Sequence, residues 1–195
     1  ITQLDPQNVA GAQRPRATTP EDERADVGPG NLLLRKGGTE YRYDARHRRT
    51  AKITRADDGT EHVTEYRWDG RDRLRHILKP DGTLLQYSYD AFGRRVHKVR
   101  RAPNGDLQNT NFIWDGEVLA AEIDDQRGLR VFVHEPGTFE PVLHQQDGEV
   151  FLTVNDHLGM PKDLVARDGV LAWSAAHAAY GKVVAVDADL TAKER

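Results

Sequence analysis

The chain has 195 residues, 37% of them hydrophobic and 30% charged, with a net charge of −3 and no cysteine. That composition excludes a disulfide framework, a thiolate metal site and a thiol nucleophile, and no apolar run approaches the roughly 18 residues of a membrane span. The small net charge hides a split: residues 31–101 hold 18 Lys+Arg against 10 Asp+Glu, and residues 102–195 hold 7 against 16.

The first residue is Ile1, with no initiator Met and no signal peptide, as expected of a fragment or a processed product. In residues 1–30, Pro6, Pro15, Pro20 and Pro29 with Gly11, Gly28 and Gly30 forbid a long helix and interrupt a ladder. They predict an extended arm lying along a sheet, or partial disorder, outside the pattern that follows.

Strands are predicted from Leu32 onward. Leu32–Leu34 leads into a Gly37-Gly38 turn, and then come 41–43, 51–55, 62–68, 74–78, 84–89 and 96–100. The series continues through 111–114, 118–123, 129–134, 142–144, 150–154, 164–165 and 170–173, each an aromatic or β-branched run bounded by turn residues. Residues 171–180 are alanine-rich and suit a helix by propensity, but the register of the pattern predicts a strand. Residues 182–186 read as a last strand, and 187–195 as a polar tail.

The strands repeat. Tyr87-Ser-Tyr89-Asp90 reads aromatic, polar, aromatic, then Asp at a corner, with Gly93 and Arg94 following; on a strand the two tyrosines share one face. The same corner recurs at Tyr43-Asp44, Trp68-Asp69 and Trp114-Asp115, and in altered form at His134, Asn155-Asp156 and Tyr180, in steps of 20 to 25 residues. Interleaved with it are Asx-Gly pairs ending in Gly59, Gly82, Gly105, Gly148 and Gly169, which predict hairpins with both turn residues at positive φ. A fixed period of this length is the mark of a repeat architecture. The fold expected is all-β: a long antiparallel meander of hairpin repeats over residues 31–186, curved because a flat sheet of that length would leave its edges and apolar face uncovered. The aromatics Tyr89 and Trp114 are expected to be largely buried, and each corner Arg to pair with an Asp or a carbonyl of the neighbouring repeat.

Three constellations could carry chemistry. Asp156-His157 has the form of an oriented base, but Asp156 occupies the corner position of Asp44, Asp69, Asp90 and Asp115. The eight histidines are scattered singly, without the convergence zinc needs. The corner carboxylates are spread over four repeats, where a glycosidase pair needs one site. Turn and core roles are the better reading of all three, with no catalytic residue, metal or cofactor expected. An alternative is a carbohydrate- or nucleic-acid-binding module that uses the aromatic and basic face, nucleic acid being the weaker of these because the basic residues follow the repeat and do not cluster.

The repeats resemble the tyrosine-aspartate repeats of the Rhs proteins. Tyr89-Asp90-Ala-Phe-Gly93-Arg94-Arg95 and Trp114-Asp115-Gly116 match the repeat itself. His134-Glu-Pro-Gly-Thr-Phe-Glu-Pro141, Asn155-Asp-His-Leu-Gly-Met-Pro161, Trp173 and Tyr180-Gly181 resemble the C-terminal part of the Rhs core. Teneurins and insecticidal toxin-complex shells share the repeat, but the Glu-Pro-Gly and Asp-His-Leu-Gly segments favour Rhs. The resemblance spans residues 29–186. It implies a cocoon-like β-shell enclosing a C-terminal polymorphic toxin, made in the bacterial cytoplasm and in many members delivered to a target cell by type VI secretion. Implied partners are the remaining shell strands, the toxin domain, and a secretion spike or chaperone. The Gly-rich Asp-Pro segment at which the family cuts itself does not occur in this sequence, so no self-cleavage residue carries over and no toxin activity is expected of it.

Overall fold

The computed structural model describes residues 24–177 and 183–188. Sixteen strands run through them. In chain order they are β1 (Ala25–Gly28), β2 (Leu32–Lys36), β3 (Thr39–Tyr43), β4 (Arg49–Arg55), β5 (Glu61–Trp68) and β6 (Leu74–Leu78). Then follow β7 (Leu84–Tyr89), β8 (Arg95–Arg101), β9 (Leu107–Asp115), β10 (Val118–Asp124) and β11 (Gly128–His134). The last five are β12 (Pro141–Gln146), β13 (Glu149–Asn155), β14 (Pro161–Ala166), β15 (Leu171–His177) and β16 (Val183–Ala188). The one helical element among the described residues is the 3-10 turn Pro29–Asn31. The chain forms two compact units; of the described residues, the larger holds 24–133 and 145–148, and the smaller 134–144, 149–177 and 183–188.

In the larger unit each strand from β1 to β10 pairs antiparallel with the next. The meander expected from Leu32 begins earlier, because Ala25–Gly28 is already a strand against β2; residues 1–23 lie outside the described residues. In the smaller unit β13, β14, β15 and β16 pair in the same way. The alanine-rich stretch is strand up to His177, with the rest of it, 178–180, outside the described residues. Ala172 and Ala175 are buried there, so small residues serve a packed strand and not a helix.

The turns differ from the two-residue hairpins expected at the Asx-Gly pairs. At Gly59, Gly82, Gly105 and Gly169 only the glycine has positive φ; both residues do so at Asp147-Gly148. The glycine N–H of the first set donates three residues back, as in Gly82 N–H to the Lys79 carbonyl at 3.0 Å, and the preceding Asx accepts from two residues on, as in Thr83 N–H to Asp81 at 2.8 Å. This is a type I turn followed by one left-handed residue, the three-residue hairpin loop. The aspartate corners have the same geometry: His47, Asp72, Gly93 and Gly159 hold the left-handed position and donate back to Asp44, Asp69, Asp90 and Asp156. The two interleaved sequence series are therefore one turn type.

Gly82 carries this geometry at φ +82°, with Pro103 carbons 3.6 and 3.7 Å from where a Cβ would sit. There is room for a side chain but not the backbone conformation for one. Gly82→Val should lower stability by about 1–3 kcal/mol through strain alone, read as a shift in urea midpoint at unchanged m-value. An unchanged midpoint would mean that the turn relaxes out of the left-handed region.

Few apolar side chains are fully covered. Among the described residues only Ile53, Tyr87, Ala121, Ala172 and Ala175 count as a buried apolar core, while Ile113, Ile123, Leu129 and Leu152 stay half-exposed. Tyr89 and Trp114, expected to be largely buried, are only partly covered. Each spends its polar atom on a backbone carbonyl instead: Tyr89 Oη donates to Leu74 O at 2.7 Å and Trp114 Nε1 to Arg95 O at 2.9 Å.

Candidate functional site

The corners give the chain its most regular chemistry. At Asp90 one carboxylate oxygen accepts the N–H groups of Phe92 (3.0 Å) and Arg94 (2.9 Å), and the other accepts the Arg94 Nε at 2.7 Å. Asp44 does the same with Arg46 N, Arg48 N and Arg48 Nε, and Asp69 with Arg71 N, Arg73 N and Arg73 Nε, all between 2.7 and 3.0 Å. A β-bulge beside each corner separates this aspartate-arginine clasp from the regular ladder.

Each arginine then reaches one corner further. Arg48 Nη1 donates to Asp69 O at 2.9 Å, Arg73 Nη1 to Asp90 O at 3.1 Å, and Arg94 Nη1 to Gly116 O. Asp72 also takes Arg48 Nη1 (2.9 Å) and Arg46 Nη2 (2.6 Å). The result is a ladder along one edge in which every rung ties one repeat to the next. A surface ion pair alone contributes little, but here Arg48 and Arg73 also give a second hydrogen bond to a corner carbonyl, Asp69 O or Asp90 O, that already accepts the turn's own N–H.

Tyr43 Oη donates to Leu33 O at 2.9 Å and Trp68 Nε1 to Arg49 O at 2.7 Å, so all four corner aromatics tie back to a preceding strand. The fourth corner is built differently. Asp115 is exposed and lies opposite Val118 across a two-residue turn, with no clasping arginine.

Asp156 forms the corner without the arginine: its Oδ1 accepts Leu158 N–H at 2.8 Å and Met160 N–H at 3.0 Å. Those bonds from Met160 and Leu158 hold its carboxyl below the usual range. Neighbouring His157 is exposed at the turn tip. The donors that occupy Asp156 are backbone amides, so it serves the turn. Among the described residues no group of three or more His, Asp or Glu is placed to hold a metal ion. A shallow cleft lined by Arg35, Gly37, Gly38, Glu40, Ile53 and Arg55 holds no nucleophile.

One polar cluster escapes the sequence pattern. Asp124 is 3% exposed and sits opposite Thr110, which is fully buried. Its carboxylate accepts Thr110 Oγ1 (2.6 Å), Gln108 Nε2 (2.9 Å), and the N–H groups of Gln126 and Arg127 (both 3.1 Å). Burial pushes its pKa up, but the bonds from Gln108, Thr110, Gln126 and Arg127 outweigh burial and hold it well below the ordinary carboxylate range. The cluster is a saturated knot closing the β9–β10 hairpin. Its only sequence signal is the pair Asp124-Asp125 facing a Gln-Asn-Thr run, which becomes legible once the register is known.

The corner carboxyls are held below their ordinary value of 3.8 as well: the Arg48 guanidinium lowers Asp44, and the Arg73 amide with its guanidinium lowers Asp69. At Asp90 burial acts upward, and the Arg94 guanidinium and amide win. A carboxyl with a lower pKa folded than unfolded stabilises the fold above its unfolded pKa and loses that contribution as pH falls through the folded one. The melting temperature should therefore be flat from pH 7 to about 5 and fall below about 4. A drop between pH 7 and 5 in a thermal melt series would instead point to histidines.

Residues 68–106 match the family described as RHS Repeat, and residues 150–187 the family described as RHS protein. The chain carries Rhs repeat sequence. Its corners Trp68-Asp69 and Tyr89-Asp90 lie inside the first match, and Asn155-Asp156 inside the second. No curated protein matches this Rhs chain. Among solved structures it resembles the Tc holotoxin pore of Photorhabdus luminescens, with a TM-score of 0.52 and 10% identity over 85% of this chain and 12% of that one. It also resembles the TcdB2–TccC3 complex, with a TM-score of 0.50 and 13% identity over 77% of this chain and 10% of that one. At those identities the likeness is one of fold, an antiparallel β meander. The Rhs chain spans about a tenth of the length of the structures it matches.

Proposed function

We propose that this Rhs chain is a wall segment of a larger β-shell, and that its work is to enclose and not to react. The observation that carries this is the corner ladder. Arg48, Arg73 and Arg94 each hold their own aspartate and the backbone of the next corner, so the strongest polar groups are spent on joining repeats in series. A catalytic site would bring such groups together at one point. The Rhs matches and the fold likeness to Tc toxin structures support the reading.

On this reading the partners are further shell strands of the parent protein and a toxin domain held inside, with a secretion spike or chaperone engaging the assembly. The assembly is made in the bacterial cytoplasm and delivered outward, by type VI secretion or a comparable route. Residues before β1 act as an arm outside the repeat, the strands from β1 to β16 as wall, and the residues after Ala188 as a tail. Limited proteolysis of the parent protein tests the idea. The toxin domain should resist protease in the wild type and become digestible in the Arg48→Ala, Arg73→Ala, Arg94→Ala triple variant. A toxin domain cut equally fast in both would overturn it.

A further inference from the structure

The acids of the larger unit's strands are distributed unevenly between the two faces of its sheet. Residues directly opposite across an antiparallel pair share a face, and alternate residues of one strand lie on opposite faces. The register places Glu40, Arg42, Arg55, Glu61, Glu65 and Arg67 on one face. There three arginines have acid partners, Arg42 with Glu40 at 3.1 Å, Arg55 with Glu61 at 2.8 Å and Arg67 with Glu65 at 3.8 Å, while Arg35 and Arg101 share that face without one among the described residues.

The other face carries Lys36, Lys52, Lys98 and Arg100, aligned with Thr39, Tyr41, Tyr87 and Leu85 respectively. From β2 to β9 that face holds no aspartate or glutamate. The first acids on it are Glu122 and Asp124 of β10. Glu122 is paired with Arg130, and Asp124 is consumed by Gln108, Thr110 and Arg127.

Within this face one constellation occurs twice, 46 residues apart at every member. Tyr41 lies opposite Lys52 with the Arg49 guanidinium 4.6 Å from its ring centroid, and Tyr87 lies opposite Lys98 with Arg95 at 4.4 Å. In both copies the lysine's other neighbour is a threonine, Thr64 or Thr110. In both copies the arginine Nε is buried with no hydrogen-bond partner. A buried guanidinium N–H left without an acceptor is costly, and here it recurs beside an unpaired ammonium on a face that carries no acid from β2 to β9.

We propose that these two clusters are carboxylate-binding sites that hold an extended acidic polypeptide across this face. Four strand spacings separate β4 from β8, about 19 Å, so glutamates or aspartates roughly six residues apart on an extended chain reach both clusters. The ring faces are not open to nucleobases: the arginines stack on Tyr41 and Tyr87, and Tyr87 is 7% exposed. That favours a peptide over a single-stranded nucleic acid, which would need stacking. The site stands on charge and register alone and holds whether or not the chain is a shell wall.

A labelled poly-glutamate peptide titrated against the whole chain by fluorescence anisotropy tests this, with a thymidine oligonucleotide of equal charge in parallel. The wild type should bind the peptide saturably, more weakly at high salt. Lys52→Gln with Lys98→Gln should weaken binding about tenfold or more, and Arg42→Gln with Arg55→Gln and Arg67→Gln should leave it within about twofold, although it removes more charge. Melting temperatures confirm that both variants fold. Intrinsic fluorescence adds a second readout, because Trp68 and Trp114 donate to the Arg49 and Arg95 carbonyls. Absence of saturable binding, equal weakening by the two variants, or tighter binding of the oligonucleotide would each overturn the assignment.

Discussion

Asp124→Ala should cost about 3–5 kcal/mol of unfolding free energy, the largest loss expected from any polar position in this chain. The carboxylate is 3% exposed and accepts from Thr110, Gln108, Gln126 and Arg127. Removing it strands the fully buried Thr110 hydroxyl and takes the shared acceptor from the part-buried donors of Gln108, Gln126 and Arg127, and a buried donor without an acceptor loses its full desolvation cost. Asp124→Asn should lose less, because the amide oxygen still accepts while its NH₂ faces the Thr110 and Gln108 donors. Urea unfolding followed by tryptophan emission measures both. A loss below about 1 kcal/mol for the alanine variant would mean that the knot is open to solvent.

Tyr87→Ala comes next, at about 3–4 kcal/mol, as for a large ring removed from a packed site. Tyr87 is 7% exposed and the Arg95 guanidinium lies 4.4 Å from its ring centroid, so the change opens a cavity and removes the surface on which Arg95 rests. The corner aromatics should behave differently. Tyr89→Phe and Trp114→Phe each keep a ring and lose one hydrogen bond to a carbonyl, at 2.7 and 2.9 Å, worth about 1 kcal/mol apiece. Calorimetric melts of the three variants rank them. If Tyr89→Phe costs more than Tyr87→Ala, the ring tucked under Arg95 is not the packing centre of this repeat.

That ranking could not be read from the sequence, and the reason is geometric. Tyr87 and Tyr89 are the same residue type, two apart, and periodicity assigns them one face without saying which is covered. The β-bulge between Ser88 and Tyr89 turns the second ring toward the corner, where it caps a carbonyl instead of filling the core. What was legible is what the local chain dictates. Asp90 followed by a left-handed Gly93 and Arg94 specifies a clasped corner by itself, and the spacing of such corners gives the strand order. The Asx-Gly pairs were legible as turns but not as three-residue turns, because the glycine alone takes the left-handed position at Gly59, Gly82, Gly105 and Gly169. Asp115 shares the corner sequence but not the corner, since Gly116-Glu117 closes in two residues and no arginine follows four places on. Strand β1 went unread because four residues between prolines and glycines carry no pattern; it exists through its pairing with β2. The Asp124 knot joins residues 14 to 16 apart across a hairpin, and only the register brings them together.

In the proposed role these repeats act by what they hold in place and not through a reacting group. That role is tested most directly in the parent protein, by measuring toxicity and melting temperature together for His157→Ala. His157 is exposed, and Asp156 beside it is bound to backbone amides. Toxicity and melting temperature should both stay at wild-type values, while Tyr87→Ala should lower both. A His157→Ala protein that melts normally but no longer delivers or processes its toxin would contradict the proposed role.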